Sequence, residues 1–455
     1  MATNRHDAYL QNLPLDWAKV PIEQIGDIFA GGTPSRANTH YWNGTIAWAT
    51  PSDLTQLTSK YLTQTREYIT EAGLANSGAT LLPKGSLLVT TRATIGSVAI
   101  AGINVCTNQG FKNIVPNSFI DSLFYYYLLH FIAAEMQRLA SGSTFDEISR
   151  RDFVRIIVPH PNPLEQHHVA QILDTIDTQS QETEQLIAKL KQMKIGLLHD
   201  LLTLGIDENG EVRDPVAHPE QFKEILQGKL KVPNEWKVYP LQKIAEIGLG
   251  VTLGRNLIGP NTIELPYLRV ANVQDGYLNL TEMKTVRVLK DEAHHFLLQP
   301  GDVLMTEGGD FDKLGRGTVW TGQISPCLHQ NHIFRVRTNS HYLYPEYLAL
   351  VSRSSYGKHF FLLSSKQSTN LASINSTQLK AFPIPCPPKE EQERILRVLN
   401  SHDVRISNEE ACLNKLKQVK KGLMQDLLTG RVRVTQLIVD ELKDASLLRA
   451  SNRDK

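Results

Sequence analysis

The two halves of this 455-residue chain resemble each other in sequence and in the order of their motifs. Residues 31–36, GGTPSR, return as GVTLGR at 250–255, and residues 189–192, KLKQ, return unchanged at 415–418. The offset between the copies is 219 residues at the first motif (250 − 31) and 226 at the second (415 − 189). An ordered series of matches along the whole chain indicates a duplication, so both halves must adopt the same kind of fold.

Each copy begins with a segment of mixed structure, at about residues 15–155 and 234–381. Short β-like runs that are entered through Pro and Gly turns predict strands at 86–91 and 302–306. Longer apolar runs predict helices over 123–139 and 345–363. The sequence therefore predicts two similar domains that contain both helices and strands.

A helical segment follows each of these domains. In the first copy it comes after the Pro-rich break Pro159-x-Pro161-x-Pro163, and no further Pro or Gly occurs for about thirty residues. Apolar residues then recur at alternating spacings of three and four, which is typical of a helix that packs along one side on a partner helix. Polar residues interrupt this seam, and Lys194 and Lys420 occupy the same place in both copies. The predicted seam consists of Leu173, Ile176, Ile187, Leu190, Leu197, Leu201, Leu399, Ile406, Leu413, Leu416, Leu423 and Leu427.

The predicted fold class is α+β, with two similar mixed domains separated by two long helices. We expect the helices to form an antiparallel coiled coil with a pseudo-two-fold internal repeat, because the two copies then become equivalent. A helix of roughly 38 residues is about 57 Å long. The predicted boundaries are 1–158 (head 1), 159–204 (helix), 205–232 (connecting loop), 233–384 (head 2), 385–430 (helix) and 431–455 (a tail of unassigned role).

Charge and cysteine content narrow the classes of function. Lys and Arg number 48 and Asp and Glu 47, and this net charge of +1 argues against a protein held to DNA by bulk charge. The four cysteines form no CxxC pair, which argues against a disulfide framework or a cysteine-rich zinc site. The first residues lack an apolar signal core, and His130 and Glu135 interrupt the most apolar stretch. We expect a cytoplasmic protein without membrane contact.

Motifs for catalysis are weak in this sequence. Pro387-Pro388-Lys389 lacks the leading Asn or Asp and the aromatic residue of an adenine methyltransferase loop, and no phosphate-binding GxxxxGK[ST] loop occurs. The His pairs at 167–168, 294–295 and 329/332 lack the HExxH pattern of a zinc helix. Glu307, Asp310 and Asp312 could form a metal-dependent nuclease site, but the equivalent residues 90–96 contain no carboxylate. We therefore expect no catalytic residue and no metal site in this chain.

Several motifs together resemble the specificity subunit of type I restriction-modification enzymes. They are the GGTPSR segment, the Pro-rich helix entry with Glu165-Gln166, and the two helix ends at 194–203 and 421–430. The segment GIDENG at 205–210 is also similar to the linker of that family. The resemblance covers nearly the whole chain, and the duplicated order of the motifs is its most specific part.

This resemblance implies a function in sequence recognition. Two target-recognition domains would each read one half of a split, asymmetric sequence in double-stranded DNA. The paired helices would set the unread spacer and dock two modification (methyltransferase) subunits. S-adenosylmethionine, for adenine N6 methylation, and ATP with Mg²⁺ would bind to the partner modification and restriction/translocase subunits rather than to this chain.

Base recognition in the major groove uses side chains with paired hydrogen-bond donors and acceptors. Arg36 and Arg255 are equivalent, so we expect a shared contact with phosphate, whereas Thr91 and Glu307 follow matched strands and could contact bases. The other candidates for DNA contact are Arg92, Asn108, Gln109, Lys112, Lys313, Arg316, Gln330 and Asn331. Two alternatives stay open from the residues alone: a protein scaffold that does not bind DNA, and an enzyme with a hidden catalytic site.

Overall fold

The computed structural model describes residues 9–140, 146–225, 230–309, 314–367 and 372–439. The chain divides into two compact units. Unit 1 contains Met1–Glu184 and Ala411–Lys455, and unit 2 contains Gln185–Glu410. Unit 1 is therefore built from both ends of the chain.

Unit 1 combines a five-stranded sheet, a three-stranded sheet and a strand pair. Its strands are β1 (Ala18–Pro21), β2 (Gly26–Ala30), β3 (Trp42–Ala49), β4 (Tyr61–Leu62), β5 (Glu67–Ile69), β6 (Leu87–Val89), β7 (Val98–Ala101), β8 (Val105–Thr107), β9 (Lys112–Pro116) and β10 (Ile157–His160). The sheet orders are β2-β9-β6-β7-β4 and β5-β3-β8, and β1 pairs with β10. The helices before the long one are α1 (Pro51–Thr55), α2 (Glu71–Ala75), α3 (Ser122–Phe131), α4 (Ala133–Leu139) and α5 (Arg150–Val154). The first long helix, α6, is Pro163–Thr203.

The five-stranded sheet is covered on both faces. Strands β6 and β7 consist of apolar residues without polar alternation, and every residue in them is buried. Leu87 and Val89 enter the apolar cluster that contains α3, whereas Leu88 enters a second cluster on the opposite face. Continuous apolar strands of this kind are expected where both faces are packed.

Unit 2 repeats the main sheets of this plan, without a counterpart of β4 among its described residues and with additional short strands. Its strands are β11 (Phe222–Ile225), β12 (Leu230–Pro233), β13 (Lys237–Pro240), β14 (Ala245–Gly248), β15 (Thr262–Leu268), β16 (Lys284–Leu289), β17 (Val303–Thr306), β18 (Gly308–Gly309), β19 (Gly317–Val319), β20 (Leu328–His329), β21 (Ile333–Thr338), β22 (Lys366–Gln367), β23 (Ala372–Ser373) and β24 (Pro383–Cys386). The orders β14-β21-β17-β19, β16-β15-β20 and β13-β24 correspond to β2-β9-β6-β7, β5-β3-β8 and β1-β10. Its short helices are α7 (Lys290–Phe296), α8 (Pro345–Arg353), α9 (Ser355–Ser364) and α10 (Ser376–Lys380), and the second long helix, α11, is Lys389–Leu427.

The two helices predicted over 123–139 and 345–363 are each interrupted in the structure. Ile132 separates α3 from α4, and Ser354 separates α8 from α9. The Ser354 hydroxyl accepts a hydrogen bond from the Gly357 N–H at 3.2 Å. Serine in this place satisfies a free N–H of a new helix and so favours starting one.

The Pro-rich breaks belong to strands. Pro159 lies in β10 and Pro385 in β24, and among the residues that the structure describes each strand pairs antiparallel with one partner only. Proline has no N–H to donate, so it is tolerated at the edge of a sheet. The long helices consequently begin at Pro163 and Lys389, a few residues after the positions expected from the sequence.

Ion pairs connect the two long helices, and they repeat at a constant offset. In unit 1, Lys417 Nζ lies 2.7 Å from Glu184 Oε1, and Lys420 pairs with Asp177. In unit 2, Lys191 Nζ lies 2.6 Å from Glu410 Oε1, and Lys194 pairs with Asp403. Each residue of the second set lies 226 positions from its counterpart in the first set, and within each unit the contacts advance in opposite chain directions.

None of the predicted seam residues on the two long helices is exposed. Leu173, Ile187, Leu190, Leu201, Leu399, Ile406 and Leu427 are buried. Ile176, Leu197, Leu413, Leu416 and Leu423 are half-buried. Lys194 and Lys420 recur within this pattern as the cations of the repeated ion pairs, which explains how lysine is accommodated there.

The segment 205–232, expected to be a connecting loop, contains ordered structure. Its last residues form a hairpin in which β11 pairs with β12. Ile225 and Leu230, which face each other in this hairpin, pack against the core of unit 2. Apolar residues in an otherwise polar segment provide the reason why the hairpin folds onto the domain.

None of the helices within the described residues is both long enough and apolar enough to cross a membrane.

Candidate nucleic-acid interface

The loops 31–36, 91–96 and 108–110 of unit 1 meet at one surface, and glycine allows their close approach. The Gly32 N–H donates to the Thr107 carbonyl at 2.9 Å, and the Trp48 indole N–H donates to the Gly32 carbonyl at 2.8 Å. A Cβ atom on Gly31 would lie 1.9 Å from the carbonyl oxygen of Asn108, so no other residue fits there. The GGTPSR segment is thereby fixed against the turn that follows β8.

Candidate residues from two of these loops line a common cavity. Arg92, Asn108 and Gln109 surround a surface cavity of about 240 Å³ together with Pro51. The Asn108 side-chain oxygen accepts from the Gly110 N–H at 2.9 Å, which fixes the turn. The structure therefore brings three of the predicted DNA contacts into one place.

Both arginines predicted to contact phosphate are engaged by carboxylates. Arg36 forms a two-pronged pair with Glu67, and its guanidinium lies 3.7 Å from the ring centroid of Trp42. The hydrogen bond with Arg36 lowers the pKa of Glu67, so this carboxylate is charged at neutral pH. Arg255 Nη1 lies 2.5 Å from Glu292 Oε1. A contact of either arginine with phosphate would have to share or replace this carboxylate.

Thr91 and Lys112 lie in the interior. Thr91 is fully buried, and its N–H donates to the Gly110 carbonyl at 2.8 Å. The Lys112 ammonium is also buried and lies 3.2 Å from Glu147 Oε1. Glu147, whose side chain is 37% exposed, thus brings negative charge to the surface beside the cavity.

Unit 2 assembles an equivalent surface from the loop 250–255 and the turn after β20. The Val251 N–H donates to the His329 carbonyl at 2.8 Å, and the Asn331 N–H donates to the Val251 carbonyl at 3.0 Å. Gln330 and Asn331 in this turn are half-buried. The structure therefore places these two candidates beside the 250–255 loop.

The remaining candidates of unit 2 follow β17. Glu307 is half-buried and pairs with His332, whose Nδ1 lies 2.5 Å from Glu307 Oε2. Arg316 Nη1 donates to Gln274 Oε1 at 3.2 Å. Lys313, Asp310 and Asp312 lie outside the described residues. As DNA contacts, all of the sequence candidates stay predictions.

The two histidines of the His329-x-x-His332 motif have different environments. His329 is fully buried, and burial lowers its pKa to about 4, so its ring is neutral at pH 7. Its Nδ1 lies 3.1 Å from the Phe296 carbonyl, to which it donates. His332 is exposed and bound to Glu307. Within the described ranges, no group of three or more His, Cys, Asp or Glu side chains is arranged to hold a metal.

A second duplicated feature lies at the start of each long helix, and the sequence alone did not identify it. The Trp17 indole donates to Glu165 at 2.9 Å, and the Trp236 indole donates to Glu391 at 3.1 Å. Both carboxylates are buried at the start of a long helix. Each also binds an arginine that follows the end of the other long helix: Arg433 in unit 1 and Arg213 in unit 2.

The tail predicted without a role thus has a structural one. Arg433 binds Glu165 at 2.6 and 2.9 Å and Asp16 at 2.8 and 2.9 Å. The hydrogen bonds with Glu165 and Asp16 raise the pKa of Arg433. Arg213 lies ten residues after Thr203, whereas Arg433 lies four residues after Thr429, so the sequence repeat does not align the two arginines. The available signal was an arginine shortly after each DLLT sequence.

Comparison with known proteins identifies the duplicated domain. The sequence profile described as the type I restriction modification DNA specificity domain matches residues 14–192 and again 233–418. The chain belongs to this family. It is a type I restriction-modification specificity subunit with two copies of the domain.

Curated relatives carry the same description along most of the chain. The type I restriction enzyme MjaIX specificity subunit of Methanocaldococcus jannaschii is 26% identical over 440 residues, covering 93% of this chain and 95% of the relative. The EcoR124I/EcoR124II specificity subunit of Escherichia coli is 26% identical over 191 residues, covering 40% and 46%.

Solved structures share the fold. One, described under complex assembly and conformational transition of the type I R-M system, matches with a TM-score of 0.56 and 17% identity, covering 92% of this chain and 99% of that one. The S subunit from M. genitalium matches with a TM-score of 0.50 and 16% identity, covering 94% and 98%.

Proposed function

We propose that this specificity subunit reads a split, asymmetric DNA sequence, with one half-site for the loops of each unit. This proposal rests on the observation that the corresponding sheets of the two units have the same strand order, whereas equivalent loops carry different side chains. Both turns present a pair of amides, Asn108 and Gln109 in unit 1 and Gln330 and Asn331 in unit 2. Beside this pair, unit 1 presents Arg92, whereas unit 2 presents Glu307. Two domains that have the same fold but different hydrogen-bonding side chains can recognise two different half-sites.

The long helices would act as an antiparallel coiled coil that sets the distance between the half-sites. Its support is the repetition of Lys417–Glu184 as Lys191–Glu410 at an offset of 226 residues, which fits a pseudo-two-fold relation. The burial of Leu190 and Leu399 supports the same interpretation. A scaffold with two-fold symmetry that carries two different recognition domains then recognises a DNA sequence that lacks two-fold symmetry.

We further propose that the chain itself is not catalytic and that two methyltransferase subunits dock on the helices. Met193 and Val419 are exposed apolar residues at equivalent positions, 226 residues apart, which fits two equivalent partners. These subunits would bring S-adenosylmethionine and methylate adenine N6, and restriction subunits would bring ATP and Mg²⁺. The near-neutral charge fits partners that supply part of the phosphate contact. A cytoplasmic location follows from this function.

Exchange of one domain tests the proposed function directly. We expect that replacing residues 15–155 by the equivalent segment of another specificity subunit changes one half of the methylated sequence and leaves the other half unchanged. The measurement is methylome sequencing of cells that carry the chain with its modification subunit, before and after the exchange. The reciprocal exchange of residues 234–381 is the matched control. A change in both halves, or the absence of any split motif with the unchanged chain, contradicts the proposal.

The spacer is tested by lengthening both helices together. In the sequence, the residues of the pairs Glu184–Lys417 and Lys191–Glu410 directly precede or follow the segments 185–190 and 411–416. Seven residues inserted in each segment add about 10 Å of helix, or roughly three base pairs. We expect methylome sequencing to find both half-sites unchanged and the spacer about three base pairs longer. The same insertion in one helix only, as control, should abolish methylation, since it displaces one seam against the other; an unchanged spacer in the double insertion refutes the ruler function.

A further inference from the structure

The segments that follow β6 and β17 occupy the same backbone position in the two units. In unit 1, the Thr91 N–H donates to the Gly110 carbonyl at 2.8 Å, and the Thr91 carbonyl accepts from the Ile148 N–H at 3.0 Å. In unit 2, the Glu307 N–H donates to the His332 carbonyl at 3.0 Å, and the Glu307 carbonyl accepts from the Ile374 N–H at 2.8 Å. Each unit therefore joins three segments at one junction: the residue after the strand, the turn before the next strand, and the chain beyond α4 or α9.

Both junctions contain one acidic and one basic side chain, but these come from different positions. In unit 1 the acid is Glu147, next to Ile148, and the cation is Lys112, which also lies 3.4 Å from the Thr91 hydroxyl. In unit 2 the acid is Glu307 itself and its partner is His332. The two units thus share the backbone junction and the presence of an acid–base pair, but the pair is formed by different residues at different positions.

The unit 2 residues equivalent to the unit 1 pair are not charged. The pairings Leu87–Ile114 and Val303–Val336 align Lys112 with Phe334, which is buried. Ser373, before Ile374, corresponds to Glu147. A pair needed only to stabilise the junction could have stayed at one set of positions, so its relocation indicates a role that differs between the units.

Both acids remain accessible. The side chain of Glu147 is 37% exposed, and those of Glu307 and His332 are 31% and 55% exposed. A carboxylate accepts up to about four hydrogen bonds, so the partner side chain uses only part of its capacity. Glu147 forms a β-bridge with Arg92, at the cavity that Asn108 and Gln109 also line. The acid of unit 1 therefore lies at the surface proposed to face DNA.

We propose that Glu307 with His332 reads one base pair of the half-site of unit 2, and that Glu147 with Lys112 does so for unit 1. This inference rests on the proposed function. A carboxylate in the major groove accepts from the N4 amino group of cytosine. The histidine or lysine holds the carboxylate in place through this contact, so both are positioning residues. Each half-site accordingly contains one cytosine that depends on one acid.

The test compares Glu307→Gln and Glu147→Gln in the full chain, assembled with its modification subunits. The complex selects duplexes from a pool in which one half-site at a time is randomised, and the selected duplexes are sequenced. Glutamine pairs with adenine rather than with cytosine. We expect Glu307→Gln to lower the cytosine preference at one position of one half-site by roughly 5- to 150-fold, with adenine gaining. Glu147→Gln should do the same in the other half-site only.

His332→Gln provides a second variant that keeps the acid. We expect it to weaken the same cytosine preference as Glu307→Gln and to leave the other half-site unchanged. Glu224→Gln is the control, because it removes the carboxylate of an exposed ion pair on the β11–β12 hairpin and should leave both half-sites unchanged. Thermal unfolding of each chain separates loss of recognition from loss of folding.

The outcomes separate this inference from the function on which it rests. Selection of no split sequence by the unchanged complex overturns the proposed function. A split sequence that Glu307→Gln and Glu147→Gln leave unchanged overturns the inference alone, as does a change of both variants in the same half-site. Folded variants that each alter one cytosine in a different half-site support it.

Discussion

Glu391→Gln is expected to lower the free energy of unfolding by about 3–5 kcal/mol, the usual cost of removing one partner of a buried ion pair. The Glu391 carboxylate is buried and accepts hydrogen bonds from the Trp236 indole at 3.1 Å and the Ile206 N–H at 2.9 Å. It also neutralises Arg213, which is only 13% exposed. A glutamine amide has no charge and offers one acceptor oxygen, so Arg213 would lose its buried anionic partner and keep the exposed carboxylate of Glu235.

Hydrogen–deuterium exchange of the full chain is the appropriate measurement, because it resolves the two units. We expect faster exchange in the peptides that contain Ile206 and Trp236, together with a lower denaturant midpoint. Glu393→Gln, at an exposed position two residues further along the same helix, is the control and should change stability by less than about 0.5 kcal/mol. Equal behaviour of the two variants would show that the buried carboxylate does not stabilise unit 2.

Leu190→Asp is expected to destabilise the long helices by at least the cost of a large-to-small core substitution, about 2–5 kcal/mol. Leu190 is 3% exposed, and the neighbouring Lys191 pairs with Glu410 of the other helix. A carboxylate at 190 would either be buried without a partner or separate the helices. We expect loss of helical circular dichroism at a lower temperature and loss of the modification subunits in co-purification.

The same helix offers a matched control. Ile195 is 72% exposed and lies five residues from Leu190, so Ile195→Asp introduces the same charge without a buried site. We expect its melting temperature to stay close to that of the unchanged chain. A Leu190→Asp chain that melts like the Ile195→Asp chain would refute the seam.

Much of the fold could be predicted from the sequence because a duplication allows each element to be identified twice, once in each copy. The strands at 86–91 and 302–306 were found at Leu87–Val89 and Val303–Thr306, since turn residues before an apolar run define a strand well. The helix breaks at Ile132 and Ser354 were missed. Apolar periodicity continues across both breaks, and a cap hydrogen bond such as that of Ser354 leaves no trace in such a pattern.

The candidate surface was predictable in outline but not in detail. The repeat placed Thr91 and Glu307 in equivalent positions, and their backbone hydrogen bonds are equivalent in the structure. Sequence could not tell that Thr91 is buried or that Arg36 is bound by Glu67, because burial and long-range pairing depend on tertiary packing. Glu147 and Arg433 were overlooked for a related reason: each has a partner far away in the chain.

The equivalent arginines have very different consequences for the order in which the chain folds. Arg213 is 22 residues from Glu235, so the contact in unit 2 closes early during synthesis. Arg433 is 417 residues from Asp16, and unit 1 also needs the end of α11. The N-terminal domain therefore leaves the ribosome first but is completed last, after nearly all of the remaining chain has been made. During that interval its unfinished surfaces are exposed to aggregation and proteolysis, and a product truncated between residues 235 and 433 contains the Arg213–Glu235 contact but lacks Arg433.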